Sequence, residues 1–279
     1  MDDAVEIAVE IADVEQIVRQ WPAANVALVA TTADSVVWAS GDLDRRFPLA
    51  SVTKPLVATA VLLAVEEGAL ALDQPAGPPG STIRHLLAHA SGLSPDSDAV
   101  LAAPGTRRIY SNRGIEVAAD CLAAATGISI ADYLTEGVTA PLGMHRTSLP
   151  GSPASGAVST AADLASWVRS MLRPSVLAAE TVVAATREQF VGLAGVLPGF
   201  GRQDPNPWGL GFELRGHKAP HWTGTDNSPA TFGHFGQSGT FVWVDPDAGL
   251  GLVGLGDVTF DQWAVDLWPR LSDAVLALR

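Results

Sequence analysis

The chain has 279 residues, 47% of them hydrophobic and 17% charged, and a formal net charge of −13 from 30 acidic against 17 basic side chains. This composition suits a folded globule with a substantial core and excludes disorder or low complexity. So acidic a surface repels phosphate backbones, which argues against nucleic acid as a partner.

The acidic start, from Met1 to Glu6, lacks the basic segment of a secretory signal. The longest apolar run, residues 55–65, is too short for a bilayer, which takes about 20 residues. A soluble, cytoplasmic protein with no membrane span is expected. Apolar residues at Ile7, Ile11, Val14 and Val18 predict an amphipathic helix over residues 5–18. Strand patterns follow at 26–30 and 35–38, and Gly41-Asp42 closes that hairpin-like unit.

A helix then starts close to Ser51, pinned by Pro55 in its first turn, and runs to Gly68. Residues 81–173 read as predominantly helical, with breaks at Ser91-Gly92, Pro104-Gly105, Gly127 and Pro141-Leu142-Gly143. The lone Cys121 leaves no disulfide framework, and its apolar setting reads as that of a buried structural thiol. Thr160 and Asp163 have capping-box spacing and predict a helix over 161–172. Residues 198–207 are a Gly/Pro-rich loop. Strand patterns return at 209–215, 241–244 and 251–255, the last two joined by the turn Asp245-Pro246-Asp247, before a final helix over 261–278.

Strands from both chain ends are expected to join in one antiparallel sheet flanked by helices, an α/β fold of the α+β type. The whole of 1–279 reads as one domain. Its helical subdomain, about 76–190, is inserted between sheet-forming segments 1–75 and 191–279.

Three short motifs carry chemistry. Ser51 and Lys54 stand three apart, so on a helix they share a face with Cβ atoms about 5–6 Å apart. A serine in the first turn feels the positive end of the helix dipole, and its unpaired N–H can serve an oxyanion. Lysine occurs only at 54 and 218, the other basic residues being arginine. A lysine at this spacing therefore suggests a chemical need, because a desolvated amine can act as a base and a guanidinium cannot. Tyr110-Ser111-Asn112 supplies a phenol, which a nearby ammonium can bias toward phenolate, and an amide able to bind a carbonyl. Gly233 to Thr240, containing His234, Phe235, Gly236 and Gln237, is a glycine-bracketed strand edge that a ligand can approach closely.

In this order the motifs resemble those of the serine β-lactamase and penicillin-binding-protein-like hydrolases, nearest the class C-like branch with its esterase relatives (S-x-x-K, Y-x-N, then K-T-G or H-x-G). The segments Leu86-Leu87-Ala88-His89-Ala90-Ser91-Gly92-Leu93, Pro141-Leu142-Gly143-Met144 and Trp208-Gly209-Leu210-Gly211-Phe212 are similar to that branch as well. The resemblance implies a β-lactamase/transpeptidase-like fold and an acyl-enzyme on Ser51, with Lys54 and Tyr110 as the proton-handling pair. Asn112 would orient the substrate, His234 to Gly236 would form the far wall, and the N–H groups of Ser51 and Gln237 would bind the oxyanion. Which of Lys54 and Tyr110 is the primary base stays open.

His234 stands where members that handle β-lactams carry lysine, and Phe235 where they carry Thr or Ser. A small-molecule ester or amide is therefore the expected substrate, with a carboxylesterase ahead of a β-lactamase or D-amino-acid peptidase. A slowly acylating sensor or a pseudoenzyme is the alternative of another class; the intact Ser51, Lys54 and Tyr110 speak against the pseudoenzyme. No cofactor or metal is expected: His85 and His89 stand at i, i+4 but lack the glutamate of a zinc motif. His217 and His221 read as an exposed loop that could border the cleft; Trp208, Trp222 and Trp243 could line an apolar acyl pocket, with core packing the reading preferred for each.

Overall fold

In the computed structural model, which describes residues 3–279 with side chains from residue 9 onward, the chain opens with helix α1 (Asp3–Val18). Met1 and Asp2, the start of the acidic terminus, lie outside the described residues. Strands β1 (Val26–Thr31) and β2 (Val36–Gly41) form the expected hairpin. Gly41 ends it with φ +82, where a Cβ would lie 1.9 Å from Val26 O, so only glycine fits.

The short β3 (Phe47–Pro48), a 3₁₀ turn (Ala50–Val52) and α2 (Thr53–Glu66) follow. Helix α2 is buried from Thr53 through Leu62, and a helix that is apolar on every side belongs in the centre of a protein. Pro55 sits in its first turn, as its missing N–H requires.

Between α2 and the later strands come α3 (Ile83–Leu87), α4 (Asn112–Thr126), α5 (Ile130–Leu134) with a π-helical turn (Thr135–Thr139), β4 (Val158–Ser159), α6 (Ala161–Leu172) and α7 (Ala179–Ala185). Residues 81–173 are thus less helical than the pattern predicts, because 88–111 and 140–157 are irregular. Side chains hold the first of these segments in place of a repeating ladder: the buried Arg108 guanidinium donates to Ala88 O (2.6 Å), Gln189 O (2.7 Å) and Asn206 O (3.1 Å).

Helix α6 begins at the expected cap, with Thr160 Oγ1 accepting from Asp163 N at 3.1 Å. The Asp163 carboxylate does not return to the cap. It accepts from Arg146 N and Thr147 Oγ1 instead, tying the preceding loop to the helix start.

The remaining strands are the hairpin β5 (Gly195–Leu197) and β6 (Gly201–Gln203), then β7 (Glu213–Leu214), β8 (Phe232–Gly236), β9 (Thr240–Asp245) and β10 (Leu250–Gly256), before α8 (Gln262–Ala277). The main sheet is antiparallel in the order β2-β1-β10-β9-β8-β7, so the first strand pairs with the last, Val26 opposite Gly256. The strand expected over 209–215 shrinks to β7 because Gly211, at φ +85, turns the chain onto α2; a Cβ there would lie 2.1 Å from Ala58 Cβ.

Strand β9 shows how the two cores are divided. Val242 and Val244 face the cluster with α2, α4 and α6, while Phe241 and Trp243 face α1 and α8. Trp222 and Trp243 are core residues, as expected. Cys121 is half-buried at the edge of the first cluster, because α4 is amphipathic and turns that position toward its rim.

Candidate active site

Ser51 lies in the 3₁₀ turn immediately before α2, and the preceding Ala50 holds φ +45, a left-handed conformation that costs an L-residue energy. Strand β8 presses on this turn: a Cβ at Gly236 would lie 2.4 Å from Leu49 O and 3.1 Å from Ala50 Cβ. Gly236 thus admits the chain's own Ser51 turn, where the sequence reading has a ligand approaching, and it does not line the cavity beside Ser51. The N–H groups of Ser51 and Gln237 have no hydrogen-bond partner among the described residues, leaving both available to an oxyanion.

Lys54, one helical turn on, is completely buried. Its Nζ lies 3.2 Å from Ser51 Oγ, 2.7 Å from Asn112 Oδ1 and 3.0 Å from Ala154 O. Burial lowers its pKa to about 7, partly offset by the carboxylates of Asp96 and Glu116. A neutral amine suits these three neighbours: two N–H groups meet the two carbonyl oxygens, and the lone pair faces the Ser51 hydroxyl.

Tyr110 arrives on the irregular segment before α4, fixed by Ile109 N donating to His89 O and Arg108 N donating to Ala194 O. Its hydroxyl donates to Ser51 Oγ at 2.7 Å, and Lys54 Nζ lies 4.6 Å from its ring centroid. Burial pushes the phenol well above its ordinary pKa, although the hydrogen bond to Ser51 pulls the other way. The phenolate that a neighbouring ammonium is expected to favour is therefore disfavoured, because desolvation by burial dominates. Asn112 opens α4 with both ends of its amide engaged: Oδ1 faces Lys54, and Nδ2 donates to Asp96 Oδ1 at 2.7 Å. The amide that was expected to orient substrate thus orients the lysine in this structure.

His234, on β8, is buried and held neutral, with a pKa pushed down to about 3 by burial and then by the Lys54 charge. Its Nδ1 lies 2.7 Å from Phe235 O and so carries the proton, leaving Nε2 as an acceptor. Tyr110, Trp208, His89 and His234 pack ring against ring, with centroids 4.6–5.9 Å apart. Trp208 is buried and also walls the cavity, the second of the two places the sequence allows it.

A cavity of about 210 Å³ opens over Ser51, lined by Tyr110, Asn112, Trp208, His234, Phe235 and Gln237, with Leu197 and Pro198 from the β5–β6 hairpin. Glu213 lines it as well, a residue the sequence reading missed. It is buried, and it accepts from Lys218 Nζ, His221 Nε2 (2.9 Å) and Trp222 Nε1 (2.9 Å). Burial raises the Glu213 pKa, but the charges and hydrogen bonds of His221 and Lys218 outweigh it and hold the carboxyl at about 2.

His221 is therefore buried against Glu213, contrary to the exposed-loop reading, while His217 is exposed. The run 216–221 is polar because it serves a buried carboxylate, which local polarity cannot distinguish from solvation. A usable signal was Lys218, the second lysine of a chain that otherwise uses arginine. His85 and His89 turn to different partners, Thr82 Oγ1 (2.9 Å) and Ser111 N (3.2 Å). Among the described residues no group of three or more metal-binding side chains is present.

The family model described as Beta-lactamase matches residues 14–262. Among solved structures, a beta-lactamase from Mycobacterium bovis is 55% identical, with a TM-score of 0.93 over 95% of this chain and 98% of that one. Penicillin-binding protein 4* of Bacillus subtilis (strain 168) is 31% identical over 134 residues, 36% of this chain and 30% of that protein. Esterase EstB of Burkholderia gladioli is 48% identical over 64 residues, 18% of this chain and 16% of that protein. These two matches span less than a third of the relatives' own lengths.

Proposed function

The chain belongs to the beta-lactamase family of serine hydrolases, and we propose that within it the protein is a carboxylesterase that acts on small esters through an acyl-enzyme on Ser51. The hydrogen-bond chain from Tyr110 through Ser51 to Lys54 carries this reading.

Neutral Lys54 takes the hydroxyl proton as Ser51 Oγ bonds to the ester carbonyl carbon. The resulting oxyanion is met by the N–H groups of Ser51 and Gln237. Tyr110 stays a phenol, gives its proton to the departing alkoxide and recovers one from the Lys54 ammonium. The alcohol leaves and the acyl group remains on Ser51. Water then attacks the acyl carbon by the same steps in reverse, and Ser51 regains its proton as the acid departs.

An ester is favoured over a β-lactam because the third motif presents a neutral imidazole and the Phe235 ring, where a cation and a hydroxyl would recognise a carboxylate. The small cavity suits a short acyl group. The match to an esterase supports this reading, while the names of the Mycobacterium bovis and Bacillus subtilis relatives favour a second one, β-lactam or D-amino-acid peptide turnover.

Hydrolysis of short p-nitrophenyl esters and of a chromogenic cephalosporin, measured side by side, separates the two: faster cephalosporin turnover would reverse the order. Intact-mass analysis after a fluorophosphonate probe, with Ser51→Ala as control, tests the acyl-enzyme itself. A parent protein without adduct would sink it.

A further inference from the structure

A second cavity, of about 300 Å³, adjoins the first and shares Tyr110 and Pro198 with it. The two are joined by the β5–β6 hairpin, which lies along the segment bearing Tyr110 through the Arg108 N–H bond to Ala194 O at 3.0 Å. Three arginines, Arg107, Arg108 and Arg202, line the second cavity and no carboxylate does, in a chain whose net charge is −13.

Arg108 is buried and its donors are spent on backbone carbonyls. Arg107 is exposed and has no ion-pair partner among the described residues. Arg202 meets Asp204 at 2.9 Å with both side chains more than 60% exposed, a pairing that solvent makes weak and exchangeable. Asp96, beside the lining residue Pro95, is engaged by Asn112. Between the guanidinium groups of Arg107 and Arg202 and the nucleophile, the wall is apolar at Ile109 and Val196.

Resting on the ester-hydrolase reading above, we propose that this second cavity binds a carboxylate at the far end of the substrate. The substrate class is then an ester whose apolar arm runs past Tyr110 and Pro198 and ends in a monoanion. The cationic end lies in the cavity that shares Tyr110 and Pro198 with the first, a cavity that His234 does not line. A forked guanidinium matches a carboxylate, and a dianionic phosphate is repelled more strongly by the acidic protein as a whole.

The test compares two charged probes with neutral counterparts: mono-p-nitrophenyl adipate against p-nitrophenyl hexanoate for the acyl side, and 4-butyryloxybenzoate against phenyl butyrate for the alcohol side. One charged probe should show a KM about fivefold below its counterpart, an advantage that 0.5 M salt erodes. The double variant Arg107→Gln/Arg202→Gln should remove that advantage and leave kcat and the neutral esters unchanged. Equal KM values for charged and neutral probes, or an advantage that survives in the double variant, would overturn the proposal. If the parent protein hydrolyses no ester, the hydrolase reading fails separately, and binding to Ser51→Ala protein decides the subsite. There monomethyl adipate should bind tighter than dimethyl adipate; equal binding, or tighter binding of hexyl phosphate than of hexanoate, would overturn it.

Discussion

Asn112 Oδ1 lies 2.7 Å from Lys54 Nζ, and that short contact is possible in one orientation of the amide only. The orientation is set from the other side, where Nδ2 donates to Asp96 at 2.7 Å. An exposed carboxylate thereby acts on the buried amine twice, through its charge and through the amide it holds. Asp96→Asn should remove the charge but keep an acceptor for Nδ2, moving the midpoint of the pH–rate profile to lower pH, since the Asp96 charge raises the Lys54 pKa. Asp96→Ala should also free the amide and lower the high-pH plateau by about tenfold. Steady-state profiles of the two variants separate the effects.

The Lys54 pKa of about 7 fixes the sign of the pH dependence. The amine accepts the Ser51 proton only when neutral, so kcat/KM for a neutral ester should rise with pH through about 7 and then level off. Tyr110 titrates far above that range, so no falling limb from it is expected below pH 10. Lys54→Arg keeps the charge and cannot lose it, and should reduce acylation by about 10²–10⁴. A fluorophosphonate-labelling rate measured from pH 5 to pH 10 checks both outcomes.

Tyr110→Phe retains the ring that packs on His89 and His234 but removes the donor to Ser51 Oγ. Turnover should fall by about 10²–10⁴ while the melting temperature stays close to the parent value. The loss should be larger for alkyl esters than for p-nitrophenyl esters, whose leaving group needs no proton. A uniform loss across both would contradict the role given to the phenol.

Gly236→Ala places a methyl group against Leu49 O and Thr240 Oγ1, which its Cβ would meet at 2.4 and 2.6 Å. Strand β8 and the nucleophile turn must then separate, at a cost of about 1–3 kcal/mol in stability. The proposed oxyanion donors, Ser51 N–H in that turn and Gln237 N–H at the end of β8, would move apart with them, so the labelling rate should drop by at least about tenfold. Denaturant unfolding and fluorophosphonate labelling of the same preparation measure the two effects.

Glu213→Gln leaves the buried Lys218 ammonium without its counter-charge and should destabilise the protein by about 3 kcal/mol. Lys218→Met added to it should recover most of the loss. The Glu213 carboxyl is held at about 2 against an ordinary 4.5, so its stabilising contribution is whole above about pH 4.5 and is lost as pH falls through about 2. Melting temperatures between pH 6 and pH 2 should therefore fall more steeply for the parent than for Glu213→Gln.

What the sequence determined by itself is what short-range geometry dictates. Ser51 and Lys54 share a face because of helical spacing, Thr160 caps α6 because its hydroxyl reaches the N–H three residues on, and β9 and β10 pair because two strand-forming runs flank a short turn. The order of three motifs was also legible, and with it the family. Only the tertiary structure decided the chemistry of each group, because desolvation and hydrogen-bond direction depend on what packs around a side chain and not on its neighbours in the chain. It made Lys54 a near-neutral amine and kept Tyr110 a phenol, fixed the proton of His234 on Nδ1, and closed His221 and Lys218 over a buried Glu213. The irregular stretch from Ala88 to Ser111, which brings Tyr110 to Ser51, was illegible for the same reason: Arg108 and carbonyls far away in sequence hold it, and no local period records them.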